Sequence, residues 1–179
     1  VVSGFVAAQT IGTRVWRFSQ LGRFVLQRYC RLGLPYLAIV LLILPIYEFS
    51  RGWVPDDVLG QPVSLMQFLA HLFFLQDILG YESLSAGLWF VCINFQLGFG
   101  YACGMVLQQR FGRGGDSLFV LLSWGTSIYS LFHFSLDPSG ESWALYFFPY
   151  FFMGILVHKA LVRRSQFELL AFQGLLLCA

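Results

Sequence analysis

The sequence predicts an all-α protein, a polytopic transmembrane helical bundle, and three observations lead there. Hydrophobic residues make up 58% of the chain and charged residues only 11%, with a mean hydropathy of +0.70. A soluble domain of this length needs a far more polar surface. Several apolar runs approach or reach the length that crosses a bilayer. If each is a span, ten of the eleven Lys and Arg residues fall on one side.

The charged residues of the predicted loops are sorted by sign. The basic residues cluster at 14–31, 110–113 and 159–164, whereas Arg51 is the single base of the remaining loops, whose acids are Asp56, Asp57, Asp77, Glu82, Asp137 and Glu141. The positive-inside rule makes the basic loops cytoplasmic. We therefore expect a multipass protein of the cytoplasmic (inner) membrane, surrounded by membrane lipid. A net charge of +2 that is divided in this way does not indicate a nucleic-acid partner.

The first third of the chain predicts two helical stretches before an outer loop. Residues 1–12 are typical of the end of a helix that descends to the cytoplasm, and residues 14–31 alternate Arg with large apolar side chains, which suits a helix in the membrane interface. A span is expected from Leu34 to about Ser50, with Pro35 in its first turn and a kink at Pro45.

Residues 63–80 are the ambiguous stretch. They are long enough to span, but polar side chains interrupt them. A full span here would place the basic loop at 110–113 outside, so we predict an amphipathic or re-entrant segment on the outer side. Further spans are then expected at 88–108, 117–134 and 143–158, and another begins at 167.

The ends of the chain suggest a piece of a longer protein. Val1 stands inside an apolar stretch without a signal-peptide n-region. The last apolar run stops at Ala179, after about half a span. We interpret residues 1–179 as a single partial transmembrane domain, with its first helix missing and its last helix cut.

Four stretches in a fixed order resemble one protein family. They are residues 2–5 (VSGF), residues 28–36 (RYCRLGLPY), residues 72–77 (LFFLQD) followed by Trp89 and Gln96, and residues 147–154 (FFPYFFMG). Their order and spacing are similar to those of the membrane acyltransferase 3 family, bacterial O-acyltransferases that modify cell-surface polysaccharides and other exported molecules. The acidic position of the family's Trp-containing helix is taken here by Asn94 or Phe95.

The resemblance implies an acyltransferase that moves groups other than aminoacyl groups. It would transfer an acyl group, with acetyl the expected one, from cytoplasmic acyl-CoA to a hydroxyl of an extracytoplasmic carbohydrate or lipid-linked glycan. Acyl-CoA is then a donor substrate, and no permanently bound cofactor is expected. The family's catalytic His lies in its first helix, before Val1, so we expect this chain to be inactive alone.

Arg28 and Arg31 are the candidate donor-binding residues. At i and i+3 they share a helix face, and paired guanidinium groups at the cytoplasmic end of a span could hold the phosphates of acyl-CoA. Membrane anchoring is the alternative interpretation, because any cytoplasmic Arg can serve it.

Trp89 and Gln96 are candidates for the substrate path. They are seven residues apart and therefore nearly aligned on one helix face. Helix packing is the simpler interpretation, because Gly100 and Gly104 form a small-x-x-x-small pair on the same face.

His71 and His133 are predicted in the outer half of the membrane. An ionisable residue there is a functional candidate by default, and His71 is the weak candidate for the base because Ser64 and Gln67 share its face. For His133, core or interfacial hydrogen bonding is the better interpretation. The four cysteines show no disulfide framework or metal-ligand spacing, so no metal site is predicted.

The alternative to an enzyme is a polytopic transporter or flippase, or a non-catalytic membrane subunit. A secondary transporter typically has charged or broken helices at mid-membrane and a repeated half. Neither feature is evident in this sequence.

Overall fold

The structure, a computed structural model, describes residues 1–12, 18–54, 62–81, 83–84, 87–134, 143–163 and 166–178. These residues form helices and turns without a strand, which confirms the predicted all-α class. The helices are α1 (Val2–Ile11), α2 (Phe18–Ser50), α3 (Leu65–Leu72), α4 (Leu88–His133), α5 (Ala144–Arg163) and α6 (Gln166–Cys178).

Three helices in the described ranges are long and apolar enough to cross a membrane, and they indicate a membrane protein. They comprise Ser19–Ser50, Leu88–Gly112 and Ala144–Val162. A span needs about 20 apolar residues, so each reaches or approaches that length. The helical stretch after Gly112 is not among the three, and the expected span at 117–134 stays a prediction.

The prediction that a new helix begins near Leu34 is wrong. Helix α2 is continuous over Phe18–Ser50, and both Pro35 and Pro45 lie inside it. Pro35 was expected in a first turn because proline removes a backbone donor. Helices rich in apolar side chains tolerate the loss, because neighbouring groups and small local adjustments satisfy the freed carbonyl. Residues 14–17 of the predicted interfacial helix lie outside the described residues.

Helix α4 contains a sharp break at Gly112, whose φ of 57° and ψ of −133° are not helical. Glycine adopts this conformation without the steric cost that a Cβ would add. The predicted division into a helix before this point and another after it is confirmed, although helical backbone continues up to both sides of the break. The Gln108 amide donates to the Asp116 carboxylate over 2.5 Å across it.

The chain divides into two compact units, which are described separately. Unit 1 contains residues 1–25 and 96–179. Its central pair is α1 and α5, which meet through glycines: a Cβ at Gly4 would fall on the carbonyl oxygen of Phe151, and one at Gly154 on that of Val1. Small residues allow such backbone contact between membrane helices.

Unit 2 contains residues 26–95. Its core is formed by Tyr36, Val40, Phe74, Leu84, Leu88 and Cys92. The Tyr47 hydroxyl donates to the carbonyl of Leu84 over 3.3 Å, and Arg28 donates to the carbonyl of Asn94 over 2.9 Å. The first turns of α4 therefore run antiparallel to this part of α2.

The ambiguous stretch at 63–80 does not form a spanning helix. Its helix α3 has 8 residues, which cover about 12 Å. The Tyr29 hydroxyl donates to the carbonyl of Leu72 over 2.7 Å, whereas Leu84 lies beside Tyr47, five turns and about 27 Å along α2. The segment thus passes along α2 and returns. This is the path expected of a re-entrant segment, although its place in a bilayer stays a prediction.

Candidate functional site

The centre of unit 2 holds a buried pair of ionisable side chains. His71, in the last turn of α3, is 0% exposed, and its Nδ1 lies 2.9 Å from the Tyr36 hydroxyl. The Ser64 hydroxyl caps the start of α3 by accepting from the backbone N–H of Gln67, which fixes the helix that carries His71. Tyr36 lies near the middle of α2, and the depth of His71 in a membrane stays a prediction.

A second polar pair lies next to the first. The Gln76 side chain is 0% exposed, and its amide nitrogen lies 2.6 Å from Cys92 Sγ. The same sulfur lies 3.8 Å from the Tyr36 hydroxyl. The Gln76 side-chain oxygen is buried and has no hydrogen-bond partner in the described part of the chain. Together, Tyr36, His71, Gln76 and Cys92 form what we call the buried polar cluster.

An aromatic layer packs against the cluster next to the turn that follows Leu72, the last residue of α3. The ring of Phe74 packs edge-on against Tyr29 at 5.6 Å and against Tyr36 at 5.0 Å, and at a tilt against Phe95 at 5.0 Å. Phe74 has a φ of 57°, a left-handed conformation that costs a residue with a Cβ about 1 to 2 kcal/mol. The three ring contacts hold it there, and the resulting sharp turn brings Gln76 back to the cluster.

The two candidate arginines have different environments. Arg28 is half-buried and donates from Nη2 to the backbone oxygen of Asn94 at 2.9 Å and to its side-chain oxygen at 3.4 Å. Its Nε is buried without a hydrogen-bond partner in the described residues. Arg31 is exposed. A guanidinium with an unused buried donor can still bind an anionic oxygen.

The cluster is better suited to supply a general base than a nucleophile. A histidine whose Nδ1 is held by a phenol has a defined orientation, as general bases require. The Cys92 thiol is enclosed, touches Gln76 and Tyr36, and lies 3.5 Å from the Leu88 carbonyl of its own helix. Enclosed thiols of this kind are unreactive, so Cys92 is a packing and hydrogen-bonding residue.

Asp77 lies beside the cluster and outside the three candidate spans. Its carboxylate accepts from the Gln76 amide over 3.3 Å. Burial raises the pKa of Asp77, and a hydrogen bond to its own backbone opposes that rise. Among the described residues, no group of three or more His, Cys, Asp or Glu side chains could hold a metal ion.

The remaining sequence candidates are not members of this cluster. Trp89 is half-buried on α4 with its ring edge-on to Phe90 at 6.1 Å. Gln96 belongs to unit 1 and lines a groove there. A Cβ at Gly104 would meet the Phe119 ring, whereas Gly100 has open space around it. The expected close packing therefore involves Gly104 alone. His133 is exposed and contacts the Tyr129 ring at 5.0 Å.

Sequence reasoning missed Tyr29, Tyr36, Gln76 and Cys92 as partners in one site. A signal for two of them is present in α2. Tyr29, Tyr36 and Tyr47 are separated by 7 and 11 residues, so they lie close to one face of the helix. A tyrosine stripe in an apolar helix indicates a face that makes hydrogen bonds.

No family model matches this chain, and no curated protein or solved structure matches it either.

Proposed function

We propose that this protein is an integral membrane acyltransferase. It moves an acyl group from cytoplasmic acyl-CoA to a hydroxyl of an extracytoplasmic carbohydrate or lipid-linked glycan. The observation that carries the proposal is the His71 and Tyr36 pair. The pair is fully buried at a helix of spanning length. Placing an ionisable side chain inside a membrane costs free energy, so such a residue is a functional candidate by default.

The reaction needs one base and one leaving-group proton. The hydroxyl oxygen of the acceptor forms a bond to the acyl carbon while the C–S bond of acyl-CoA breaks. The base takes the hydroxyl proton and returns it to the departing thiolate. His71 is the proposed base, and Tyr36 holds its ring. Because His71 is fully buried, the residues around it must move before an acceptor can reach it.

Arg28 and Arg31 are proposed to bind the phosphates of the CoA moiety. Arg31 is exposed, and the buried Arg28 Nε has no partner among the described residues, so each has a donor for an anionic oxygen. The Asn94 carbonyl orients the Arg28 fork from the other side. A lysine keeps the charge at either position but loses the planar fork.

The proposed location is the inner membrane, with the basic loops in the cytoplasm. Because α2 and the start of α4 are antiparallel, a cysteine at Trp53 and one at Arg110 should lie on opposite sides. In a background without native cysteines, an impermeant thiol reagent added to intact cells should label the first and spare the second. Labelling of the Arg110 position from outside contradicts this topology.

The decisive experiment measures acyl-CoA binding and acyl transfer separately in the full-length protein. We expect Arg28→Lys and Arg31→Lys to weaken acyl-CoA binding about tenfold to a hundredfold. We expect His71→Gln to leave binding unchanged and to lower transfer about a hundredfold or more. Arg23→Lys, an exposed site on the same helix, is the matched control.

Each arm has an outcome that removes part of the proposal. Absence of acyl-CoA binding by the parent protein removes the acyltransferase assignment and favours a transporter or a non-catalytic subunit. Unchanged transfer by a folded His71→Gln variant places the base elsewhere. Equal behaviour of the three Arg variants means that these residues only anchor the helix.

A further inference from the structure

Unit 1 contains an apolar groove that the proposed reaction does not use. Three stretches line it, at 96–104, 119–126 and 144–155, and its volume is about 360 Å³. This volume falls within the range of small-ligand sites. We call it the acyl groove. Two of the three stretches belong to helices of spanning length, so the groove lies along helices that are able to cross a bilayer.

A second, smaller cavity of about 190 Å³ shares a lining residue with the groove. Tyr101 lines both cavities. Lys159 lines the smaller cavity, and its Nζ lies 5.5 Å from the ring centroid of Phe119, which lines the groove. The Lys159 ammonium group therefore lies at the end of the apolar groove that is next to the smaller cavity.

Gln108 gives the smaller cavity a second polar side chain that can recognise a ligand. Its side-chain nitrogen donates to Asp116, which leaves its side-chain oxygen as the acceptor. That oxygen is buried and has no hydrogen-bond partner among the described residues. A ligand group that donates a hydrogen bond would satisfy it. His158 also lines the cavity, with its ring edge-on to Phe5 at 5.3 Å.

We propose that these two cavities form one binding site for an anionic glycerophospholipid of the surrounding membrane. One acyl chain lies in the acyl groove, and the phosphate lies beside Lys159. A head-group hydroxyl donates to Gln108. An apolar groove that ends at a fixed cation matches an amphiphile with a negative head, because the chain avoids water while the phosphate gains a basic partner. The site lies within unit 1, and it does not depend on the proposed acyl transfer.

The test uses phosphatidylglycerol with a photoactivatable diazirine near the end of one acyl chain. The protein is purified in mild detergent and illuminated with this lipid, and the cross-linked peptides are identified by mass spectrometry. Unlabelled phosphatidylglycerol or phosphatidylcholine with the same chains then competes. We expect cross-links on peptides from 96–126 or 144–155, and displacement by phosphatidylglycerol at lower concentration.

Two variants separate the groove from the head-group contact. Gly100 lines the groove and has no atom within 4 Å of an added Cβ, so Gly100→Leu fills the space without a clash at that Cβ. We expect it to lower cross-linking about tenfold. Gly125→Leu is the matched control, because Gly125 is also exposed with nothing within 4 Å and does not line the groove.

Lys159→Gln tests the charge. In this variant, we expect displacement to need about fivefold more unlabelled phosphatidylglycerol, which is the effect of one basic side chain on an anionic head group. The concentration of phosphatidylcholine needed for displacement should not change. Lys159→Arg should restore the preference. Cross-linking that is equal in Gly100→Leu and Gly125→Leu overturns the groove assignment. Equal competition by the two lipids in the parent protein overturns the anionic head-group assignment.

Discussion

The two units hold their helices together in different ways. In unit 1, α1 and α5 meet backbone to backbone at Gly4 and Gly154. In unit 2, α2 uses long polar side chains to reach its neighbours: Tyr29 binds the Leu72 carbonyl, and Tyr36 binds His71. Apolar helices in lipid gain little from burial alone, so van der Waals contact and hydrogen bonds decide their association. The α1–α5 contact in unit 1 depends on the first, and these contacts of α2 in unit 2 depend on the second.

This difference explains where chemistry is possible. Where α1 and α5 touch at Gly4 and Gly154, the backbone contact leaves no room for a side chain or a proton acceptor between them. Hydrogen-bonded side chains instead place ionisable groups at the depth of the helices, where the low dielectric strengthens every polar interaction. The buried polar cluster is therefore both the structural centre of unit 2 and its candidate functional site.

The strongest test of the comparison is Gly154→Ala. The added Cβ would fall on the Val1 carbonyl oxygen, so α1 and α5 must move apart. We expect a loss of about 3 kcal/mol or more in the free energy of unfolding, the upper end of overpacking costs. Detergent-induced unfolding in mixed micelles provides the measurement. Gly125→Ala, in open space on a helix, should instead add up to about 1 kcal/mol. Equal effects at the two glycines contradict glycine-mediated packing in unit 1.

The second test removes the central hydrogen bond of unit 2. Tyr36→Phe leaves His71 without its phenol partner, and we expect a loss of about 1.5 kcal/mol in the free energy of unfolding. A cycle with His71→Leu should give a coupling energy of about 1 kcal/mol between the two residues. Tyr47→Phe is the matched control, because its hydrogen bond is longer at 3.3 Å and only partly buried. A coupling near zero means that the pair does not hold the unit together.

The third test separates the two arginines by their effect on stability. Arg28→Lys loses a fork that reaches two oxygens of Asn94, and we expect a cost of about 1 kcal/mol. Arg31→Lys, at an exposed position, should change the free energy of unfolding by less than about 0.5 kcal/mol. If the two variants bind acyl-CoA equally weakly, the weaker binding of Arg31→Lys comes from a lost contact with the donor, because its stability is nearly unchanged. Equal stability costs at the two positions argue against the structural role of Arg28.

The smallest expected effect is the pH dependence that Asp77 adds to unit 2. Burial raises its pKa above the usual 3.8, so the folded state binds the proton more tightly than the unfolded state does. Its contribution to stability is therefore complete below pH 3.8 and is lost as the pH rises through the raised pKa. Asp77→Asn should flatten that part of the stability profile, measured by detergent unfolding across the acidic range. An unchanged profile would show that Asp77 does not titrate differently on folding.

The sequence by itself determined the class of the protein and most helix positions. Apolar runs without charge can only be helices in lipid, because each backbone group must be satisfied within the segment. The break at Gly112 was also predictable, because glycines and charges cluster there. The start of α2 was not, because a proline that ends a helix in water can remain inside one that packs among apolar neighbours.

Only the tertiary structure decided which polar residues meet. His71 was a candidate from its position in an apolar run, yet its partner Tyr36 is 35 residues away and Gln76 reaches Cys92 across 16 residues. These contacts exist because residues 63–84 pass along α2 and return, with Phe74 at the turn in a left-handed conformation that no local pattern predicts for phenylalanine. The difference between Arg28 and Arg31 has the same origin. Periodicity places both on one face, but only packing against Asn94 decides which of them is held.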